Sequence, residues 1–429
     1  MISSADVFCL YQTRKVMTLS THSRLAPASS PILHFHNPNA DPCTPYDVEL
    51  QTVLDQHGFN DAKEVIGQLP WYNPTPLREL KGLAEAIGVE RIYLKDESSR
   101  FGLKALKGVG GSYAIYRLLA CRLQDITAAS KISVRDILSG GYANAIESIT
   151  VACATTGNHG RSVAFAAKSF GCRCNIYVPL NTSPGRVTAL QQLGANVVRI
   201  EGNYDLAVKA VEADAQENGW YIISDTSYEG HEDTPRDVMH GYQVIADEIV
   251  EQLPADTIPT HVFVQAGVGG IAAAMCSHFW QKWGSRRPRF IVVESKEANC
   301  LYRSVESGKL VIVDGAHNTK MYGLAAGKPS LNALKILRKG ADDFLAIDDI
   351  ESFEAMRRLA NPEGNDPGLV IGEAGGAGAG ALIAIMGERE ELLRSKLELT
   401  NQSIVLLFGT EGDTDSNSYA SIVGQAANL

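Results

Sequence analysis

The sequence predicts an α/β fold in which mostly parallel sheets are covered by helices on both faces. Three observations carry this. From Arg91 onwards, short apolar runs alternate with longer stretches of helical period, the pattern of repeated strand–helix–strand units. The runs are of strand length and rich in Val, Ile, Tyr and Phe. The stretches between them carry readable helix ends.

In chain order the candidate strands are Arg91–Lys95, Ile149–Cys153, Cys174–Val178, Asn196–Ile200, Tyr221–Ser224, His261–Gln265, Arg289–Glu294 and Ser403–Phe408. Arg161 to Phe170 is apolar on one face and stops at Gly171, while Ser183-Pro184-Gly185 opens a helix that stops at Gly194, placing Pro and Gly where helix starts and ends favour them. No internal repeat is visible. The Gly/Ala run from Gly372 to Gly380 is too short for a linker and reads as tight helix packing.

With 429 residues, 45% hydrophobic and 21% charged, the chain can bury a large core and has the length for two or three domains. No stretch approaches the roughly 18 apolar residues of a membrane helix. A formal net charge of -10 argues against a general nucleic-acid binder, which needs clustered cations. The eight cysteines lack the paired spacing of a zinc site or the density of a secreted scaffold, so reduced thiols of a cytoplasmic protein are expected. Cys172 and Cys174 read as strand side chains on one face. The first thirty or so residues, with Arg14, Lys15, Arg24 and Asp6 as the lone acid, have the composition of a weak organellar presequence or of a frayed tail, and Met17 is an alternative start.

Three segments carry chemistry. Leu94 to Ser112 ends a strand, crosses a polar turn and starts a helix, with Lys107 among small residues. A lysine partly desolvated at such a junction is a usable amine nucleophile and base, although a lone lysine is far more often a solvated helix residue. Ala154-Thr155-Thr156-Gly157-Asn158-His159-Gly160-Arg161 follows a strand and opens a helix. Its free N–H groups and hydroxyls suit a carboxylate, and Asn158 can bond a phenolic or carbonyl oxygen. Phe263 to Ala272 runs from a strand through Gly267-Val268-Gly269-Gly270 into a small-residue helix, a setting for a phosphate.

That glycine turn also satisfies the dinucleotide fingerprint, with Glu294 where a ribose-binding acid would sit. Against an NAD-dependent oxidoreductase, the turn comes late in the chain and the lysine and asparagine segments would have no role. His231-Glu232 lacks the second histidine of a zinc helix, so no metal is expected. Glu373 is a candidate site-lining residue, with a buried capping role as the alternative.

Taken together, the segments resemble the fold-type II pyridoxal-phosphate enzymes, the group of tryptophan synthase β subunits, threonine deaminases and cysteine synthases. Within that group they resemble the diaminopropionate ammonia-lyases. The blocks are Arg100–Gly108, Thr156–Arg161, Asp225–Gly230, Gln265–Gly269, Glu294 with Ala298–Arg303, Gly323–Gly327 and Thr410–Asp415, so the likeness runs from about Asn73 to the C-terminal region. It implies two three-layer αβα domains with mostly parallel sheets: residues 41–109 and 225–429 as the large cofactor-binding domain, 110–224 as a small domain carrying the asparagine loop, and 1–40 as a variable extension. It also implies pyridoxal 5'-phosphate as cofactor and Lys107 as the Schiff-base lysine. Asn158 is then expected at the ring oxygen, Gly267, Val268, Gly269 and Gly270 at the phosphate, and Thr410 as the nearest candidate for the ring nitrogen. Thr155, Thr156, Asn158 and His159 would surround the substrate carboxylate, and Asp225 would lie near the substrate amine, assisting departure of the β-group.

The implied reaction is β-elimination on a small amino acid, 2,3-diaminopropionate or a related β-substituted alanine, giving a 2-oxo acid and ammonia via aminoacrylate. The alternatives are a β-replacement synthase and a hydroxy-amino-acid dehydratase. A homodimer is usual in this group, and neither nucleic-acid nor membrane partners are expected. One departure bears on substrate. Where the ammonia-lyases carry an acid that serves the D-isomer, this chain has Thr156, closer to the Ser/Thr-rich loops of hydroxy-amino-acid deaminases. The first forty residues match nothing in the group.

Overall fold

The computed structural model of the chain describes residues 31–127, 129–155, 157–202 and 204–424. Their strands are β1 (Leu33–His36), β2 (Leu77–Glu79), β3 (Arg91–Asp96), β4 (Thr150–Ala154), β5 (Arg173–Pro179), β6 (Asn196–Ile200), β7 (Tyr221–Ile222), β8 (His261–Gln265), β9 (Arg289–Ser295), β10 (Asp343–Ile347) and β11 (Ile404–Gly409). They form a seven-stranded sheet of order β1-β10-β9-β8-β11-β3-β2 and a four-stranded sheet of order β6-β5-β4-β7. Pairing is parallel except at the two edges of the large sheet, where β1 and β2 run antiparallel to their neighbours. Strands β8, β9 and β10 are almost wholly buried and apolar, as strands covered on both faces must be.

This strand order positions the site. Ligands of open α/β sheets bind beyond the carboxyl ends of strands where the order reverses. In the large sheet the chain moves outward from β8 through β9 to β10, and β11 returns on the other side of β8. In the small sheet it moves from β4 to β5 and β6, then returns to β7 on the other side of β4. The glycine loop follows β8, Thr410 follows β11, the asparagine loop follows β4 and Asp225 follows β7, so both reversals deliver site residues.

Six helices frame these ends: α1 (Gly108–Thr127), α2 (Asn158–Phe170), α3 (Pro184–Gln192), α4 (Asp233–Gln252), α5 (Gly270–Trp283) and α6 (Cys300–Ser307). Helix α2 closes on Gly171 at φ 92°, as its sequence predicts. Proline opens α3, which ends two residues before the expected Gly194. Helices α1 and α4 cross through glycine: a Cβ on Gly241 would lie 2.8 Å from the Gly110 Cα. That close approach fixes the start of α1, and hence Lys107. Among the described residues no helix is long and apolar enough to cross a membrane.

Three strands are absent from the sequence reading. β10 opens on Asp343, whose fully buried carboxylate pairs with Arg289 at 2.7 Å and His34 at 2.8 Å; an acid at a strand start disguises it. β1 falls within the residues read as a variable extension, yet Leu33 to His36 register against Ala346 to Asp343. β2 has only three residues.

Candidate active site

Lys107 immediately precedes α1, and its backbone is pinned there: the carbonyl accepts from Ser162 Oγ at 2.6 Å and from Gly111 N at 3.1 Å. Its Nζ donates to Asp225 Oδ2 at 2.6 Å, with the lysine side chain 26% and the aspartate 18% exposed. Asp225 is anchored from the far side, because Ser227, two residues on, bonds Ser330 Oγ at 2.8 Å and accepts from Asn332 N at 2.8 Å. Burial alone would raise the Asp225 carboxyl, but His159, the Lys107 charge and the Lys107 hydrogen bond hold it well below the usual carboxylate range. The Tyr242 hydroxyl lies beside Lys107; burial pushes this phenol up, against the pull of the ammonium.

On the asparagine loop, Thr155 is buried and its Oγ1 accepts from Gly157 N at 3.2 Å, closing the turn. Thr156 lies outside the described residues. Asn158 Nδ2 donates to Glu411 Oε2 at 2.5 Å. The His159 ring sits between the end of β7 and Asp225: Nε2 lies 2.8 Å from the Ile223 carbonyl and Nδ1 3.8 Å from Asp225 Oδ2. Its side chain stands beside the acid.

The glycine loop joins β8 to α5. Gly269 has φ +100°, and a Cβ on Gly267 would come within 2.9 Å of the Gly323 carbonyl oxygen, so side chains are excluded at both positions. The Val268 carbonyl accepts from Ser330 N at 2.9 Å, which ties the loop to the segment that anchors Asp225. With Gly270 starting a helix of 14 residues, N–H groups without intrahelical partners gather at this turn. At β11, the Thr410 carbonyl accepts from Leu106 N at 3.1 Å, and its Oγ1 accepts from Gln265 Nε2 at 3.0 Å. The threonine hydroxyl hydrogen is thereby left to donate elsewhere. An amine held beside a carboxylate, a side-chain-free anion cradle and an oriented hydroxyl on neighbouring strand ends are the donor set that pyridoxal phosphate requires.

Two groups were missed in the sequence. Glu411, directly after Thr410, accepts from Asn158 with one oxygen and from Ala374 N at 3.0 Å with the other, and burial followed by repulsion from Glu373 raises its carboxyl. It bridges the asparagine loop to the large sheet; its place directly after Thr410 was the one available signal. The second is a buried ion network of Lys95, Glu97, Arg100 and Glu248. Arg100 bonds Glu97 at 2.8 Å and Glu248 at 2.8 Å, and Lys95 Nζ lies 2.6 Å from Glu248. Glu373 accepts from Ser418 Oγ.

The dinucleotide alternative fails on geometry. Both oxygens of Glu294 accept backbone N–H groups at the start of α6, from Leu301 at 2.9 Å and Tyr302 at 2.7 Å. The acid caps a helix and does not face a ribose.

Residues 69–408 match the family described as pyridoxal-phosphate dependent enzyme. The chain belongs to this family. Among its relatives, the diaminopropionate ammonia-lyase of Escherichia coli K12 is 38% identical over 381 residues, 88% of this chain and 94% of that protein. A crystal structure of the Escherichia coli enzyme in complex with an aminoacrylate–PLP azomethine reaction intermediate matches with a TM-score of 0.81 and 36% identity, over 92% of this chain and 97% of that one. Another, in complex with D-serine, matches with a TM-score of 0.81 and 37% identity over the same shares. Family membership makes pyridoxal phosphate the cofactor and the fold that of the fold-type II enzymes, as the sequence blocks imply.

Proposed function

We propose that the protein is an ammonia-lyase that removes the β-amino group of 2,3-diaminopropionate, or the β-substituent of a related alanine, and yields a 2-oxo acid and ammonia. The observation that carries this reading is the Lys107–Asp225 pair at 2.6 Å, a base and an acid at one crevice, in a chain 38% identical to diaminopropionate ammonia-lyase.

Bound pyridoxal phosphate supplies the electron sink that makes the substrate Cα–H bond acidic. The chain's own residues do the rest. Lys107 Nζ would be the group that holds the cofactor covalently and, as a neutral amine, the base for the α-proton. Gly267 to Gly270 and the start of α5 hold the phosphate. Thr410 would donate its hydroxyl to the ring, and Asn158, with one Nδ2 hydrogen on Glu411, would have the other for the ring oxygen. The loop of Thr155, Thr156 and Asn158 binds the substrate carboxylate through N–H groups and hydroxyls. Asp225 orients the substrate's cationic end and handles the proton of the departing β-group. The freed aminoacrylate hydrolyses to the 2-oxo acid.

Residues 110–224 are proposed to act as the small domain that closes over this crevice and excludes water. A homodimer in the cytoplasm is the proposed working form; the free state of all seven cysteines among the described residues supports a reducing compartment. Thr156, standing where the ammonia-lyases carry an acid, supports preference for the L-isomer.

The test is product analysis with L- and D-diaminopropionate, serine and O-acetylserine, each with and without added thiol. Elimination from L-diaminopropionate releases two ammonia molecules per 2-oxo acid, and thiol leaves that yield unchanged. Capture of the thiol in a new amino acid would make the protein a β-replacement synthase, and turnover of serine alone a dehydratase.

A further inference from the structure

We infer that Tyr242 is a positioning residue for Lys107, its hydroxyl the second hold on the amine, taken up when Nζ leaves Asp225. Tyr242 lies on α4, next to the glycine at which α4 crosses α1, and only 1% of it is exposed. Its ring is fixed along both edges that flank the hydroxyl. A Cβ on Gly110, in the first turn of α1, would fall 2.6 Å from Cε1, so only glycine there leaves room for the ring. A Cβ on Gly270, at the start of α5, would fall 3.9 Å from Cε2 and 3.8 Å from the Asp225 carbonyl oxygen. The ring thus stands between the turn that carries Lys107 and the glycine loop, near the segment that carries Asp225.

The hydroxyl at the tip of this ring is buried and has no hydrogen-bond partner, although the Lys107 amine stands beside it. A buried hydroxyl left unpaired is destabilising, and packing alone would be served as well by phenylalanine. The amine now donates to Asp225 Oδ2 at 2.6 Å. It has to leave that oxygen to bond the cofactor, and again when the substrate's cationic end occupies Asp225. The phenol oxygen can accept an N–H from the amine in either charge state. A neutral nitrogen held in this way keeps its lone pair free, first for the cofactor's aldehyde carbon and later for the α-proton.

The inference rests on Lys107 being the amine that holds the cofactor, and the test separates the two. Full-length chain freed of cofactor is mixed with pyridoxal phosphate, and the absorbance of the covalent link is followed in time. The unsubstituted chain is compared with Tyr242→Phe, which keeps the ring and loses only the hydroxyl. In the variant the link is expected to form about five- to tenfold more slowly, the effect of one lost hydrogen bond to the attacking amine. Affinity for 4'-deoxypyridoxine phosphate, which has no aldehyde to react, should stay within about twofold. Stability in urea should equal or exceed that of the unsubstituted chain, because the hydroxyl removed is unpaired. Equal rates of link formation would overturn the inference and leave the reading of Lys107 intact. A parallel loss of analogue affinity or of stability, as a role in packing alone would give, would overturn it too. Failure of the unsubstituted chain to form the link would overturn both.

Discussion

Two lysines leave the same stretch of chain and meet opposite environments. Lys95, on β3, is fully buried, with Nζ bonded to the Thr75 carbonyl at 2.6 Å and Gln252 at 3.0 Å and paired with Glu248 at 2.6 Å. Lys107 is one-quarter exposed, and its carboxylate partner is mostly buried, with 18% of its side chain exposed. Lys95 belongs to a network with Glu97, Arg100 and Glu248 in which every charge is matched and immobilised. Such an ammonium, although burial lowers its proton affinity, has no route to a substrate. The difference teaches that partial desolvation beside a single strand-end acid makes a reactive lysine, whereas full burial in a network makes a structural one.

The largest expected effect separates the two. Lys107→Ala should lower turnover by more than about 10⁴-fold, because base and covalent anchor vanish together, while a urea titration shows near-normal stability. Arg100→Met should do the reverse. It leaves Glu97 and Glu248 short of a cation in the interior, and unfolding should become easier by about 3–5 kcal/mol. Activity of the fraction that remains folded should survive. A third variant, Asp225→Asn, is expected to cost about 10²-fold in kcat together with the stability that the paired carboxylate contributes.

The pH dependence sharpens the same contrast. The folded Asp225 carboxyl lies below its ordinary value of 3.8. The stability it contributes is therefore complete above that value and is lost only as pH falls through the lower folded one. An acid limb in the rate profile near neutrality should then persist in Asp225→Asn. Glu294 has the opposite sign: burial raises it to about 8, so its ionisation in the unfolded chain erodes stability as pH climbs from about 4.5 to 8. Stability measured across that range should flatten in Glu294→Gln. The smallest effect is expected for Thr410→Val, a few-fold loss of kcat with a shifted cofactor absorbance, since one hydrogen bond to the ring is worth about 1 kcal/mol.

Much of this was legible because local signals agreed. Eight strands and the caps at Gly171 and Pro184 follow from period and punctuation, and Lys107, Asn158 and Gly267 to Gly270 stand in motifs whose chemistry is local. What escaped is what only tertiary contact creates. β10 hides behind Asp343, which is an acceptable strand residue only because Arg289 and His34 meet it. Glu411 looks like one more loop acid until Asn158 arrives from 253 positions away in sequence. The His159 ring turns to Ile223 and Asp225, a matter of side-chain direction that spacing does not encode.

The most direct test of the contrast between the two lysines is to reduce the cofactor-loaded enzyme with borohydride, digest it and find which peptide carries the pyridoxyl group. It is expected on Lys107 alone. Recovery of the label on Lys95 or Lys104, or no covalent label at all, would contradict the assignment.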